Sequence, residues 1–151
     1  MAPGPTDRSA KTQTSGRQVV ILLDADVVIR GEKDVFNLGS WVASLPDDQF
    51  EIAAITVAEL WHGVERAVEP QRSKRRRYLE TIVRALPIVP YTEQTAYEHA
   101  RIWAQLPSAG KMIGAYDLIV AATALERGNH LATFNKRHFA RVKGLHIIDP
   151  Q

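Results

Sequence analysis

The chain has 151 residues, of which 45% are hydrophobic and 24% are charged, and its formal net charge is +2. This length suits one domain with a sizeable core and is too short for two. The sequence contains no cysteine, which excludes disulfides, thiolate zinc sites and cysteine nucleophiles. The longest apolar stretch, residues 118–125, falls far short of the roughly 20 residues that a membrane span needs, so we expect no membrane association.

Residues 1–18 differ in composition from the rest of the chain. They contain Pro, Gly, Ser and Thr but almost nothing apolar, so they cannot bury enough surface to offset the entropy of ordering. We therefore predict a disordered N-terminal tail, followed by one domain over residues 19–151. The tail lacks the apolar centre of a secretory signal, and we expect a cytoplasmic protein.

Strand-like and helix-like patterns alternate along the domain. The apolar run 19–23 predicts a buried strand, and helical periodicity follows over residues 29–45, with breaks near Gly31 and Gly39. Further along, the patterns predict a strand over 51–55, helices over 56–68 and 72–86, a short extended piece over 87–90, helices over 92–106 and 115–127, and strands over 130–133 and 145–148. This alternation predicts an α/β fold with a central, mainly parallel sheet of four or five strands and helices on both faces.

Three carboxylates have settings that point to one edge of this sheet. Asp24 follows the first strand directly, and open α/β sheets bind their ligands at the carboxyl ends of the strands. Glu59 comes shortly after the second strand, so we expect it near the same edge. Asp117 begins an alanine-rich helix, which can pack closely on the sheet. Together the three acids predict a metal site, and their oxygen ligands suit a hard cation.

Two of these acids also have a structural interpretation. Thr56 and Glu59 fit the S/T-x-x-E pattern of a capping box, in which both side chains satisfy free amide groups at the start of a helix. Asp117 fits a capping or helix-dipole residue in a first turn. His62, three residues after Glu59, fits either a residue that supports the site or ordinary surface.

A run of cations opens the predicted helix over residues 72–86. Five of the six residues from 72 to 77 are Lys or Arg. Charge can be concentrated locally even when its sum over the chain is small. The run fits a solvated helix face, and it also fits a contact with phosphate groups or an acidic partner.

Four segments resemble, in order, the motifs of PIN-domain ribonucleases. They are residues 22–24 (LLD), 55–60 (ITVAEL), 116–125 (YDLIVAATAL) and 131–135 (LATFN). The resemblance covers residues 19–148. Within that superfamily, the compact length is similar to VapC-type toxins of bacterial toxin–antitoxin pairs.

The resemblance implies a metal-dependent endoribonuclease. Asp24, Glu59 and Asp117 would then be the catalytic acids that hold Mg²⁺ or Mn²⁺. The resemblance also implies an RNA substrate (a tRNA, an rRNA loop or an mRNA), a small cognate antitoxin and a homodimer. We expect single-stranded or looped RNA, because unstacked loops expose their phosphates and bases.

Two departures from the family pattern concern the site. Where a fourth acid often follows the last motif, this chain has Asn135 and His138, which puts a second metal ion in doubt. Asp26 stands where the family commonly has Asn, Ser or Thr. We expect supporting roles for four residues: Asp26, Thr56, Thr133 and Asn135.

Two other functions fit parts of the sequence. Residues 22–28 (LLDADVV) also resemble the first motif of haloacid dehalogenase-type phosphatases, in which the first Asp is a nucleophile and the second a general acid. The final acidic motif of those enzymes should follow a strand, whereas Asp117 precedes a helix. A non-catalytic PIN-like module that binds RNA or protein is the other alternative, and it should fail to bind divalent metal.

Overall fold

The computed structural model describes residues 18–106 and 113–151. Its strands are β1 (Val20–Leu23), β2 (Gln49–Ala53), β3 (Ile88–Val89), β4 (His130–Ala132) and β5 (Ile147–Ile148). They form one sheet in the order β3-β2-β1-β4-β5, and every neighbouring pair is parallel. The predicted α/β fold with a parallel central sheet is confirmed, and β1 is its middle strand.

Seven helices surround the sheet in the described residues. They are α1 (Ala25–Glu32), α2 (Leu38–Ala43), α3 (Ala54–Arg66), α4 (Gln71–Ala85), α5 (Glu93–Gln105), α6 (Ala115–Arg127) and α7 (Lys136–Phe139). None of these helices is long and apolar enough to cross a membrane. We predicted a disordered tail over residues 1–18, and residues 1–17 of this segment lie outside the described ranges.

Apolar clusters cover both faces of the sheet. The side chain of Leu22 in β1 belongs to one cluster, and those of Ile21 and Leu23 belong to the other, because successive side chains of a strand point to opposite faces. The first cluster contains residues of α5 and α6, and the second contains residues of α1, α3 and α4. Burial on both sides explains why β1 reads as an unbroken apolar run.

The second strand lies two residues earlier than the sequence predicts. Gln49 already pairs with Val20 of β1, and α3 begins at Ala54, so Ile55 is helical. No turn separates strand from helix at this point, and alanine favours helix over strand. The predicted strand boundary at residue 55 is therefore wrong, and the helix that carries Glu59 starts earlier than expected.

The helix predicted over residues 29–45 is two helices. The first begins at Ala25, where the Asp24 carboxylate accepts a hydrogen bond from the Ala25 N–H at 2.9 Å and caps the helix. The break falls at residues 33–37, and Gly39 lies inside α2. The single-turn helix α7 was not predicted, because four residues are too few to show an apolar period.

Candidate active site

Asp24 lies at the carboxyl end of the middle strand. Its N–H donates to the Ala132 carbonyl of β4 at 3.0 Å, which extends the ladder between the two strands by one residue. The side chain is only 5% exposed, and its Oδ1 caps α1 as described above. Asp24 thus joins β1 to α1 at the edge of the sheet, and its bonds to α1 and β4 fix its position.

Thr133 links Asp24 to Asp26. Its N–H donates to the Ile148 carbonyl at 3.1 Å, and its side chain is completely buried. The Thr133 hydroxyl lies 2.8 Å from Asp24 Oδ2 and 3.4 Å from Asp26 Oδ2. A hydroxyl has one proton to donate, so the shorter contact to Asp24 is the hydrogen bond that we assign. Asp26 Oδ2 instead accepts the Phe134 N–H at 3.1 Å.

Glu59 lies inside α3 and does not cap it. The helix begins at Ala54, and the preceding Ala53 makes no side-chain capping bond, so the capping-box interpretation of Thr56 and Glu59 is wrong. Thr56 is completely buried. Among the described residues, its hydroxyl oxygen and Glu59 Oε1 are buried atoms without a hydrogen-bond partner. A buried polar atom left unpaired is costly, which favours a ligand for Glu59.

Asp117 lies in the first turn of α6. The residue before the helix is Gly114, which makes no side-chain capping bond, and the Asp117 side chain takes no part in a cap. A negative charge at this end of a helix is favoured by the helix dipole. The dipole stabilises the charge and leaves the carboxylate oxygens free for other partners.

The pKa values show that the four acids share one neighbourhood. The pKa of Asp24 is raised from its ordinary 3.8 to about 7, mainly by burial and also by the negative charges of Asp26 and Asp117, while the Thr133 hydrogen bond opposes the rise. The pKa of Glu59 is raised by burial and then by the charge of Asp117. Burial also raises the pKa values of Asp26 and Asp117.

No ion pair in the described part of the chain neutralises these charges. None of the four acids forms an ion pair with a Lys, Arg or His of residues 18–106 or 113–151. Within the same ranges, no three His, Asp or Glu side chains converge closely enough to hold one ion as they stand. Closer approach of like charges would require a cation between them. Asp26 Oδ1 and Glu59 Oε1 are buried and unpartnered, and an all-oxygen donor set suits Mg²⁺ or Mn²⁺, so these residues fit such an ion.

The region of the expected fourth acid contains a histidine that faces the site. The Asn135 side chain makes no capping bond to α7, and its backbone N–H donates to the Thr133 hydroxyl at 2.9 Å. The charge of His138, in contrast, lowers the pKa of Asp117 against the larger effect of burial. Its Nε2 is buried without a partner among the described residues.

Arg30 is a site neighbour that the sequence analysis missed. Its guanidinium carbon lies 4.3 Å from the centre of the Phe134 ring, and its charge lowers the pKa of Asp26 against the effect of burial. The spacing in the sequence could have predicted this contact, because Arg30 follows Asp26 by four residues on α1 and such pairs meet on one helix face.

The cations of the 72–77 run have different surroundings. Arg72 pairs with Glu65 at 3.0 Å, and Arg75 pairs with Glu32 at 3.1 Å while also donating to the Gly63 carbonyl. Lys74, Arg76 and Arg77 are exposed. Part of the run is therefore tied to the protein, and the exposed part remains available to a partner.

Comparison with known proteins decides which family has this arrangement. A family model described as PIN domain matches residues 21–145. The ribonuclease VapC1 of Rickettsia felis is 30% identical over 129 residues, which are 85% of this chain and 94% of that protein.

The chain belongs to the PIN-domain family.

Its similarity to VapC proteins extends to structure. The DNA-bound VapBC of Salmonella typhimurium is similar to this PIN-domain chain with a TM-score of 0.77 and 27% identity, over 88% of this chain and 99% of that one. A Salmonella typhimurium protein named tRNA(fMet)-specific endonuclease VapC is 34% identical over 98 residues, which are 65% of this chain and 73% of the relative. Membership of the PIN-domain family replaces the phosphatase alternative considered from the sequence.

Proposed function

We propose that the protein is a metal-dependent endoribonuclease and the toxin of a VapC-type toxin–antitoxin pair. The observation that carries this proposal is the group of buried and half-buried acids at the carboxyl edge of the sheet, none of which forms an ion pair with a cationic side chain of the described residues. Its similarity to VapC ribonucleases supports the choice of RNA as substrate.

Asp24, Glu59 and Asp117 are the residues that would hold Mg²⁺ or Mn²⁺. When bound, such an ion supplies a Lewis acid that polarises the phosphate and favours ionisation of the attacking water. Asp24 must be ionised to bind a cation, and the Thr133 hydroxyl favours that form by donating to its Oδ2.

Three further residues would support this chemistry. Asp26 is held by the Phe134 N–H, and its unpartnered Oδ1 is free to accept a hydrogen bond from the attacking water. Thr56 lies buried one helical turn before Glu59, and its hydroxyl, unpartnered among the described residues, would bond to Glu59 when the ion is held, while Asn135 fixes the Thr133 hydroxyl through its backbone N–H.

The partners of the chain follow from the same similarity. We propose an RNA substrate, which is a tRNA, an rRNA loop or an mRNA, and the relative named tRNA(fMet)-specific endonuclease favours a tRNA among these. Similar solved structures are of VapBC proteins, one of them described as a member of the VapBC family of toxin–antitoxin systems, which supports a small cognate antitoxin for this chain. We also propose a homodimer. RNA and such an antitoxin would both be met in the cytoplasm, which is the location that we propose.

The test is cleavage of a mixed tRNA pool and a looped oligoribonucleotide by the purified chain, with millimolar Mn²⁺ and with chelator. We expect cleavage with the ion and none without it. Metal binding is measured separately by thermal melting, since an ion that binds only the folded state stabilises it by about 2.7 kcal/mol at a hundredfold excess over Kd.

Asp117→Asn is the variant that connects the two measurements. It removes one of the crowded charges, so it should melt higher than the wild type in chelator and gain less from Mn²⁺. Equal metal-induced shifts in both proteins would remove Asp117 from the site. A wild type that neither cleaves RNA nor responds to metal would leave the non-catalytic binding module as the better description.

A further inference from the structure

A pocket lies beside the acids and is not explained by metal binding. It is lined by Ile55, Ala58, Glu59, His62 and Tyr116, and its volume is about 440 Å³. Pockets that bind small organic ligands fall in the range of about 300–1,000 Å³. Glu59 lies in the wall of this pocket and also interacts electrostatically with Asp117. The pocket and the proposed catalytic site therefore share a wall.

Tyr116 presents an aromatic ring at this wall. It precedes Asp117 in the first turn of α6, and 57% of its surface is exposed. A large ring usually buries most of its surface, so an exposed one beside a reaction site suggests a stacking partner. Nucleobases stack on such rings, and single-stranded RNA is recognised largely in this way.

The remaining walls suit a base and disfavour a phosphate. Ile55 and Ala58 offer apolar surface to a flat ring, while the His62 imidazole and the Tyr116 hydroxyl can each donate or accept a hydrogen bond at a base edge. Glu59 brings a carboxylate, and among the described residues no Lys or Arg lines the pocket. An anionic wall repels phosphate and tolerates a neutral base.

We propose that the pocket of Ile55, Ala58, His62 and Tyr116 binds one nucleobase of the RNA substrate, next to the phosphodiester bond that is cleaved. Tyr116 stacks on the base, and His62 contributes to the choice among the four bases. This proposal rests on the proposed ribonuclease function and specifies its substrate. It also gives His62 a role, which the sequence left open between a supporting residue and ordinary surface.

The first experiment maps cleavage sites in a randomised single-stranded RNA pool for the wild type, Tyr116→Ala, Tyr116→Phe and His62→Ala. We expect the wild type to prefer particular bases at one position beside the cut. Tyr116→Ala should lower kcat/KM about 5- to 150-fold, mainly through KM, and relax the preference, because base–aromatic stacking is worth that factor. Tyr116→Phe should keep most of the affinity, and His62→Ala should alter which base is preferred.

A matched control is available on another helix. Tyr97 of α5 is 60% exposed and does not line the pocket, so Tyr97→Ala removes an equally exposed ring. It should leave kcat/KM and the preference unchanged. The second test replaces the selected nucleotide with an abasic one. This change should slow the wild type by at least the factor that Tyr116→Ala costs, and it should slow Tyr116→Ala much less, because only the contacts with His62 and the apolar wall are then left to lose.

Several results would overturn the proposal. These are an unchanged KM and base preference in Tyr116→Ala, an equal loss in Tyr97→Ala, or an abasic penalty that is as large in Tyr116→Ala as in the wild type. A Tyr116→Ala variant that loses self-association and keeps its base preference would instead assign the pocket to a contact between copies of the chain.

Failure of the ribonuclease function itself is recognised separately. Binding of the four ribonucleosides, which carry no phosphate, is followed by NMR on the wild type and on Tyr116→Ala without any metal. Shifts of the Tyr116 and His62 ring signals in the wild type, together with an unshifted His62 signal in Tyr116→Ala, would support a base site even in a chain that cleaves nothing. In such a chain, unshifted signals with all four nucleosides would overturn it.

Discussion

Two kinds of buried carboxylate lie along the same sheet, and their surroundings are opposite. Glu51 of β2 is 7% exposed and accepts hydrogen bonds from Arg127 Nε at 3.0 Å, Arg127 Nη2 at 2.9 Å and Asn129 Nδ2 at 2.9 Å. Asp24, 5% exposed, accepts one hydroxyl and one backbone N–H and has no cation beside it in the described residues. One buried charge is matched by a planar fork of donors, and the other is not.

The difference separates a structural acid from a functional one. A buried charge is tolerated when it is paired and hydrogen-bonded, so Glu51 needs nothing further from outside the chain. At the carboxyl edge, the charges of Asp26 and Asp117 raise the pKa of Asp24, and the charge of Asp117 raises the pKa of Glu59. Buried oxygens of Asp26 and Glu59 have no partner among the described residues, which favours a missing positive partner. By burial alone, Glu51 and Asp24 would have been equally good candidates for a functional acid.

The largest expected effect is on catalysis. Asp24→Asn should lower the rate of RNA cleavage by on the order of 100- to 1,000-fold, because it removes a charge proposed to hold the cation. Glu51→Gln, assayed well below its melting temperature, should stay within a few-fold of the wild type. Initial rates on a tRNA pool with Mn²⁺ measure both. Comparable losses in the two variants would erase the proposed distinction between the two carboxylates.

The next effect is the pH dependence of stability without metal. The folded pKa of Asp24 is about 7 and its ordinary value is 3.8, so its protonated form is favoured by folding. This stabilisation is fully present below pH 3.8 and is lost as the pH rises through 7. The full loss is a few kcal/mol, since one pKa unit corresponds to about 1.4 kcal/mol. Asp24→Asn should therefore gain stability relative to the wild type between pH 4 and 8.

Urea unfolding in chelator at several pH values measures this gain. The wild-type curve serves as the reference at each pH, so that titration of all other groups largely cancels in the difference. A difference between the two proteins that does not change between pH 4 and 8 would show that Asp24 has an ordinary pKa.

Neutralising the paired acid, Glu51, should change the stability of the protein in the opposite direction. Glu51→Gln should destabilise the protein by about 2–3 kcal/mol at pH 8, because it leaves Arg127 without its anionic partner. The effect lies below the usual range for fully buried pairs, since the Arg127 side chain is 39% exposed and water can solvate it. Urea unfolding of Glu51→Gln and Asp24→Asn in the same buffer makes the comparison, and a stabilised Glu51→Gln would contradict it.

The sequence predicted the parallel sheet because its strands are apolar and its helices periodic. It also predicted the edge at which Asp24 lies, since an acid that follows a buried strand must emerge at its carboxyl end. The sequence could not decide the role of Glu59, because the T-x-x-E pattern is the same whether the helix begins at Ala54 or at residue 56. Only the position of the helix start decides between a cap and an interior residue.

Contacts between residues far apart in the chain could not be predicted from the sequence for a different reason. Glu51 and Arg127 are 76 residues apart, and no local pattern joins them. The pocket between Tyr116 and His62 likewise depends on how α3 and α6 pack. Local periodicity specifies which face of an element is buried, but it does not specify which residue of another element meets that face.

The smallest expected effect concerns the cationic run of residues 72–77. Arg75 shares a small cavity wall with Glu59, so the run borders the candidate site. Arg75 is already paired with Glu32, whereas Arg76 and Arg77 are exposed. We expect that Arg76→Ala with Arg77→Ala weakens RNA binding and lowers the slope of log affinity against log salt by about 1.4, since each single-strand phosphate contact contributes about 0.7. Arg75→Ala should instead lower stability by less than about 1 kcal/mol. Binding titrations at several salt concentrations measure the slope, and an unchanged slope in the double variant would identify the exposed cations as a solvated helix face.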